Sequence, residues 1–196
     1  MATPPRPVAR PFTLLDAMIL VAATAAAGPG LRWVGRFLEP DNLPDLLYQL
    51  PARGEFGAFG LVLVVLSPPV AVAWTVAAIP LRLRRPRPPW RRLGRQPGWV
   101  AACSAVPGMA VLALGVGVNV LGWGGSVFYL DDIEMSLFVL APSLAGATVL
   151  GAWMALVLGR RWRAEASWLD RLGRALGVYW LAMGAGAPFV LRWMFH

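Results

Sequence analysis

The sequence predicts an all-α, polytopic integral membrane bundle of about five transmembrane helices plus one short interfacial amphipathic helix. Three observations carry this. The 196-residue chain is 58% hydrophobic and only 14% charged, against about a quarter charged in soluble domains. Its charges are clustered, leaving uncharged runs at 56–81, 96–130, 135–159 and 175–191, and a helix crosses a bilayer core in about 20 apolar residues. Fourteen of the 18 arginines fall in three stretches beside such runs, and there is no lysine.

The expected spans are 12–30, 56–81, 99–121, 135–158 and 175–191, in a single membrane domain covering 1–196. The first is interrupted only by Asp16. Arg6, Arg10 and an Ala25-x-Ala27 pair give it the look of a signal peptide, but a retained helix is the expectation, ended by Pro29 between two glycines. In the mixed segment that follows, Leu43, Leu46, Leu47 and Leu50 recur at helical spacing, with Asp41 or Asn42 placed to cap and Pro44 in the first turn. They form the apolar stripe of a surface helix. Pro68 and Pro69 fall mid-way along the second span, so a kink or break is expected there.

Seven arginines in the fourteen residues from Arg82 to Arg95 precede the third span. A loop at 122–134 then holds Asp131, Asp132 and Glu134. Three acids ahead of a helix suit its positive amino end; binding a divalent cation is the alternative use. Arg160, Arg161, Arg163, Arg171 and Arg174 are assigned to the loop between the fourth and fifth spans. The tail from residue 192 is expected to be too short to fold.

Orientation follows from alternation. The stretches before span one, between spans two and three, and between spans four and five carry two, seven and five arginines. They share one side, and the positive-inside rule makes that side cytoplasmic. The carboxyl terminus is then periplasmic, in a bacterial cytoplasmic (inner) membrane. Trp33, Trp90, Trp99, Trp123, Trp162, Trp168 and Trp193 fall near span ends, where indoles anchor at the interface.

Small residues at every fourth position allow helices to approach closely in lipid. The fourth span carries such a stripe in Ser143, Ala147, Gly151, Ala155 and Gly159. This marks that helix as the central packing element, with Gly151→Leu more damaging than a change at Leu150. The stripe also fits a homo-oligomer seam. Arg82, Arg84, Arg85, Arg87, Arg91, Arg92 and Arg95 are the candidates for contact with anionic lipid. The basic balance invites a nucleic-acid reading, but arginines at helix ends are accounted for by topology, so no nucleic-acid partner is expected.

Membrane chemistry needs ligands or titratable groups at depth. The single histidine is His196, so no span offers imidazole to a metal or haem, and no cofactor is expected. Cys103 is the single cysteine and reads as a small buried hydrophobe. Asp16 and Asn119 are the intramembrane polar candidates. Asp16 sits about 6 Å into its span, suited to an ion pair or to the helix start, or to handling a proton or cation. Asn119 suits an interhelical hydrogen bond.

Phe12 to Gly28, reading FTLLDAMILVAATAAAG, resembles the opening segment of certain uncharacterised bacterial multi-pass membrane proteins. The resemblance implies a bacterial origin and a retained first helix, and implies no activity. The expected role is a non-enzymatic scaffold or accessory subunit. It would touch membrane lipids and a protein partner or further copies of itself. A small oligomeric transporter or channel is the alternative, drawing on Asp16 and Pro68-Pro69.

Overall fold

Every described element is an α-helix, with no strand among the described residues. The computed structural model describes residues 11–37, 55–84, 89–120 and 130–195, with side chains at 11–32, 67–84, 89–110, 140–186, 188 and 189. In chain order the helices are α1 (Leu14–Ala26), α2 (Gly28–Phe37), α3 (Glu55–Leu83), α4 (Trp90–Leu93), α5 (Pro97–Val120), α6 (Leu130–Leu158) and α7 (Trp168–Phe195). The surface helix expected at Leu43 to Leu50 lies outside the described residues, as do Arg85 and Arg87.

Several boundaries move. Pro29 does not end the helical path: Ala27 stays right-handed helical, and Leu31 N–H donates to its carbonyl at 3.0 Å. Pro29 thus falls in the first turn of α2, where a missing N–H leaves no bond unmade. α3 runs continuously through Pro68 and Pro69. Asp131, Asp132 and Glu134 lie within the opening turns of α6 rather than in a loop. α7 takes in Arg171 and Arg174 at its start and most of the expected tail at its end.

Interhelix contacts fix the directions. Trp74 Nε1 donates to Thr24 Oγ1 (2.8 Å), so α1 and α3 run antiparallel, since Gly30 of α2 meets Pro69 further back along α3. Ser67 Oγ meets Tyr179 OH at 2.7 Å, while Arg82, one end further along α3, meets residues ahead of α7; those two are antiparallel as well. Trp153 Nε1 donates to Pro97 O (2.9 Å) and Gly108 abuts Ala145, making α5 and α6 antiparallel. Successive long helices therefore alternate in direction.

α5, α6 and α7 pack on one another; α3 joins them through α7 and α5, and α1 and α2 lie against α3. The core is built mainly of small residues, Ala71, Ala101, Ala105 and Ala145, with Met109, Val149 and Trp180. A Cβ at Gly108 would lie 2.5 Å from Ala145 N, so backbone meets backbone there. This is the close approach that small residues permit.

The face of α6 that packs is not the one the stripe suggested. Ala141, Ala145, Gly146, Val149 and Leu156 are buried, whereas Ala147, Gly151, Ala155 and Gly159 are exposed. A Cβ built on Gly151 meets nothing within 4 Å. Ala145 and Ala147 are two positions apart, about 200° around a helix. Small residues line both faces, so their spacing alone could not choose between them. Ser143 alone of the stripe turns to the bundle, donating to Gly184 O (3.4 Å). That carbonyl lacks its usual donor because Pro188 stands four residues on.

Two described stretches are long and apolar enough to cross a membrane: Leu14–Arg32 and Leu140–Leu158, with mean hydropathy 1.7 and 1.6. They match the first and fourth expected spans; the other three do not meet that measure among the described residues. Large apolar side chains face outward, among them Leu14 at 80%, Leu158 at 75% and Phe189 at 75% exposure.

Candidate functional site

The densest polar chemistry gathers at the end of the bundle where α3 finishes and α5 and α7 begin. The last turn of α3 carries Arg82, which is 7% exposed. Its Nε donates to Gln96 Oε1 (3.0 Å), and a second bond runs from Nη2 to the same oxygen. Nη1 donates to Ser167 Oγ (3.2 Å) and Nη2 to Glu165 Oε2 (2.5 Å). Gln96 Nε2 donates to Glu165 Oε1 (2.5 Å). A guanidinium brought out of water must satisfy its donors on protein oxygens, and the loops ahead of α5 and α7 supply them.

Asp170 completes the clasp. Ser167 starts α7, its hydroxyl accepting from Asp170 N–H at 3.4 Å, as a cap does. The carboxylate turns back and accepts from Glu165 N–H (3.1 Å) and, across the bundle, from Gly98 N–H (3.0 Å). Gly98 lies in the first turn of α5, whose amides have no partner inside their own helix. Arg174 Nε sits 3.3 Å from Asp170 Oδ2. Burial pushes the Asp170 carboxyl above the usual aspartate value; the two amides, Arg174 and Arg82 draw it partly back.

This junction tolerates no bulk. A Cβ on Gly98 would lie 2.3 Å from Asp170 O, and one on Gly173 2.3 Å from Gly98 O. Arg163 N–H donates to Arg95 O at 2.9 Å, which ties the two arginine stretches together backbone to backbone. The start of α1 joins the same end, where the Phe12 ring meets Trp168 edge-on at 4.8 Å. Among the described residues, Trp168 Nε1 is the buried polar atom without a hydrogen-bond partner.

The expected site residues divide. Asp16 is fully buried and closes a capping box, accepting from Thr13 N–H (3.0 Å) while Thr13 Oγ1 accepts from Asp16 N–H (3.3 Å). Asn119 falls in the last turn of α5, its side chain outside the description. Of the arginines expected on lipid, Arg82 is instead buried in the clasp, because three oxygens accept from it there. Arg84, Arg91, Arg92 and Arg95 are exposed. The sequence reading missed Gln96, Glu165, Ser167 and Asp170. Ser167-x-x-Asp170 ahead of an apolar run was the available signal, since that spacing marks a helix start.

Both oxygens of Glu165 and both of Asp170 accept hydrogen bonds from the clasp itself. Among the described residues, no three His, Cys, Asp or Glu side chains gather to hold a metal. No family model, curated protein or solved structure matches the chain.

Proposed function

We propose that the chain is a multi-pass protein of the bacterial inner membrane, serving as a non-enzymatic scaffold or accessory subunit of a larger membrane complex. Its five spans would lie near 12–30, 56–81, 99–121, 135–158 and 175–191, with the amino end cytoplasmic and the carboxyl end periplasmic. The observation that carries this reading is the meeting of the basic stretches at one end of an up-and-down bundle. Arg82 bonds Glu165, Arg163 bonds Arg95, and Phe12 packs on Trp168, as the positive-inside rule requires of stretches on one membrane face. The outward apolar side chains give further support, since lipid is the solvent that accepts them.

The subunit role draws on α6. Its row of Ala147, Gly151 and Ala155 is exposed, uncovered by the described helices, and is narrow enough for a partner helix. The transporter alternative drew on Asp16 and Pro68-Pro69; the first is engaged in a helix cap and the second leaves α3 continuous.

Carbonate washing of membranes and alkaline phosphatase fusions test the membrane reading. Retention in the pellet is expected, with activity for a fusion after His196 and none for one after Pro88. Release by carbonate overturns it. Affinity purification in mild detergent tests the subunit role: a lone monomer on sizing, with nothing co-purified, counts against it. Gly151→Leu is expected to lower association while leaving the melting temperature unchanged.

A further inference from the structure

The geometry points to a binding site for anionic phospholipid headgroups, made by six arginines from the two stretches that the clasp brings together: Arg91, Arg92 and Arg95 with Arg160, Arg161 and Arg163. This rests on the membrane reading above. All six are exposed, and among the described residues the acids at this end are each engaged by other groups, Asp16 and Asp170 buried and Glu165 partly exposed. Glu165 is taken by Arg82 and Gln96, Asp170 by two amides, and Asp16 by its cap. Among the described residues the outward surface is therefore predominantly cationic, its one partly exposed acid, Glu165, being paired with Arg82, and its complement is an anion.

The patch is built rather than loose. α4 is pinned by Leu93, which is fully buried, leaving Trp90 and its arginine neighbours outside. The Arg163–Arg95 backbone bond sets the distance between the two stretches. Trp162 is held edge-on against Trp153 with centroids 5.5 Å apart, fixing the chain between Arg161 and Arg163. The end of α6 is closed by Arg160 N–H to Val157 O (3.0 Å) and Arg161 N–H to Leu156 O (2.8 Å), the double bond of a tight helix stop.

The neighbours of these arginines select lipid over other anions. Trp90 is 60% exposed and Trp162 38%, and indoles beside guanidinium groups match the boundary between headgroups and acyl chains. This site differs from a reading of 82–95 alone. Arg82 is not part of it, and half of it comes from the stretch before α7.

Native mass spectrometry of the full chain in detergent tests the assignment, titrated in parallel with phosphatidylglycerol and phosphatidylcholine of the same acyl chains. Phosphatidylglycerol is expected to bind more tightly, and replacing the three arginines of either stretch by glutamine to weaken it roughly a hundredfold. Arg32→Gln, near the other end of the bundle, is expected to change nothing. Two separate triple variants are used so that a folding failure in one, seen by circular dichroism, leaves the other to decide. Equal binding of the two lipids overturns the proposal, as does full preference in either folded variant, or displacement of phosphatidylglycerol by an equimolar single-stranded oligonucleotide. A protein that resists carbonate extraction yet shows no lipid preference sinks this inference alone; one that carbonate releases sinks the membrane reading first.

Discussion

Two helix starts in this protein carry the same pattern and put it to different use. Thr13-Leu-Leu-Asp16 opens α1 and Ser167-Trp-Leu-Asp170 opens α7. At α1 the carboxylate turns back on its own cap, taking Thr13 N–H. At α7 the hydroxyl still caps, but the carboxylate reaches 72 residues away in sequence to the first turn of α5. What separates them is the neighbourhood. Gly98 and Gly173 let two backbones approach until Asp170 stands over a helix start that has amides to offer.

The largest expected effect measures this difference directly. Asp170→Ala leaves the amides of Gly98 and Glu165 without acceptors, each buried orphan costing about 1–3 kcal/mol, so a loss of about 4 kcal/mol is expected. Asp16→Ala removes a cap, for which about 1 kcal/mol is usual. Thermal melting of the detergent-solubilised variants, with chemical denaturation for scale, compares the two. Equal losses would mean that the long-range bonds add nothing to the local motif.

Next in size is the approach itself. Gly173→Ala places a methyl where Gly98 O stands, and overpacking of that kind costs about 1–3 kcal/mol. Gly151→Ala, on the open face of α6, is expected to shift melting by less than about 0.5 kcal/mol. If the two glycines tolerate alanine alike, the backbone contact between α5 and α7 is not a fixed feature of the fold.

How much of this was legible beforehand depends on the scale of the signal. Helical class, the first and fourth membrane-length stretches and the shared end of the arginine stretches follow from hydropathy and charge alone, because those are properties of whole segments. The face of α6 was not legible: Ala145 and Ala147 have the same side chain on opposite sides of one helix, and only the neighbours decide which is buried. Arg82 shows the same limit for charge. In sequence it is one of seven arginines; in the fold it is, among those described, the one that the segments ahead of α5 and α7 surround with oxygens. Ser167 and Asp170 could have been recognised as a helix start, but the reach of Asp170 to Gly98 depends on tertiary approach.

A smaller effect concerns the helix end that faces the α7 start across the loop. Arg160 has φ 51°, in the left-handed region where a Cβ costs roughly 1–2 kcal/mol and glycine is free of that penalty. Arg160→Gly is therefore expected to raise stability by about 1 kcal/mol, seen as a higher melting temperature, while removing one charge from the basic patch. The same exchange at the α7 start, Ser167→Gly, is expected to lower stability. A destabilised Arg160→Gly would show that the guanidinium makes a contact outweighing the backbone strain.

The smallest expected effect is a pH dependence. Burial raises the Asp170 carboxyl above its ordinary value, and the amide bonds and arginines do not fully reverse this. The folded protein then keeps that proton to higher pH than the unfolded chain, whose aspartates titrate near about 3.9. The stability so contributed is fully present below the unfolded value and is lost as pH rises through the folded one. Asp170→Asn removes the titration, so the stability of the wild type relative to this variant is expected to fall as pH rises across that window and to level off above it. Melting curves of the pair, in steps from about pH 3.5 to neutrality, read the sign. A gap that widens with rising pH would mean that the bonds from Gly98 and Glu165 outweigh burial, making the carboxylate itself, rather than its protonated form, the better fit to the start of α5.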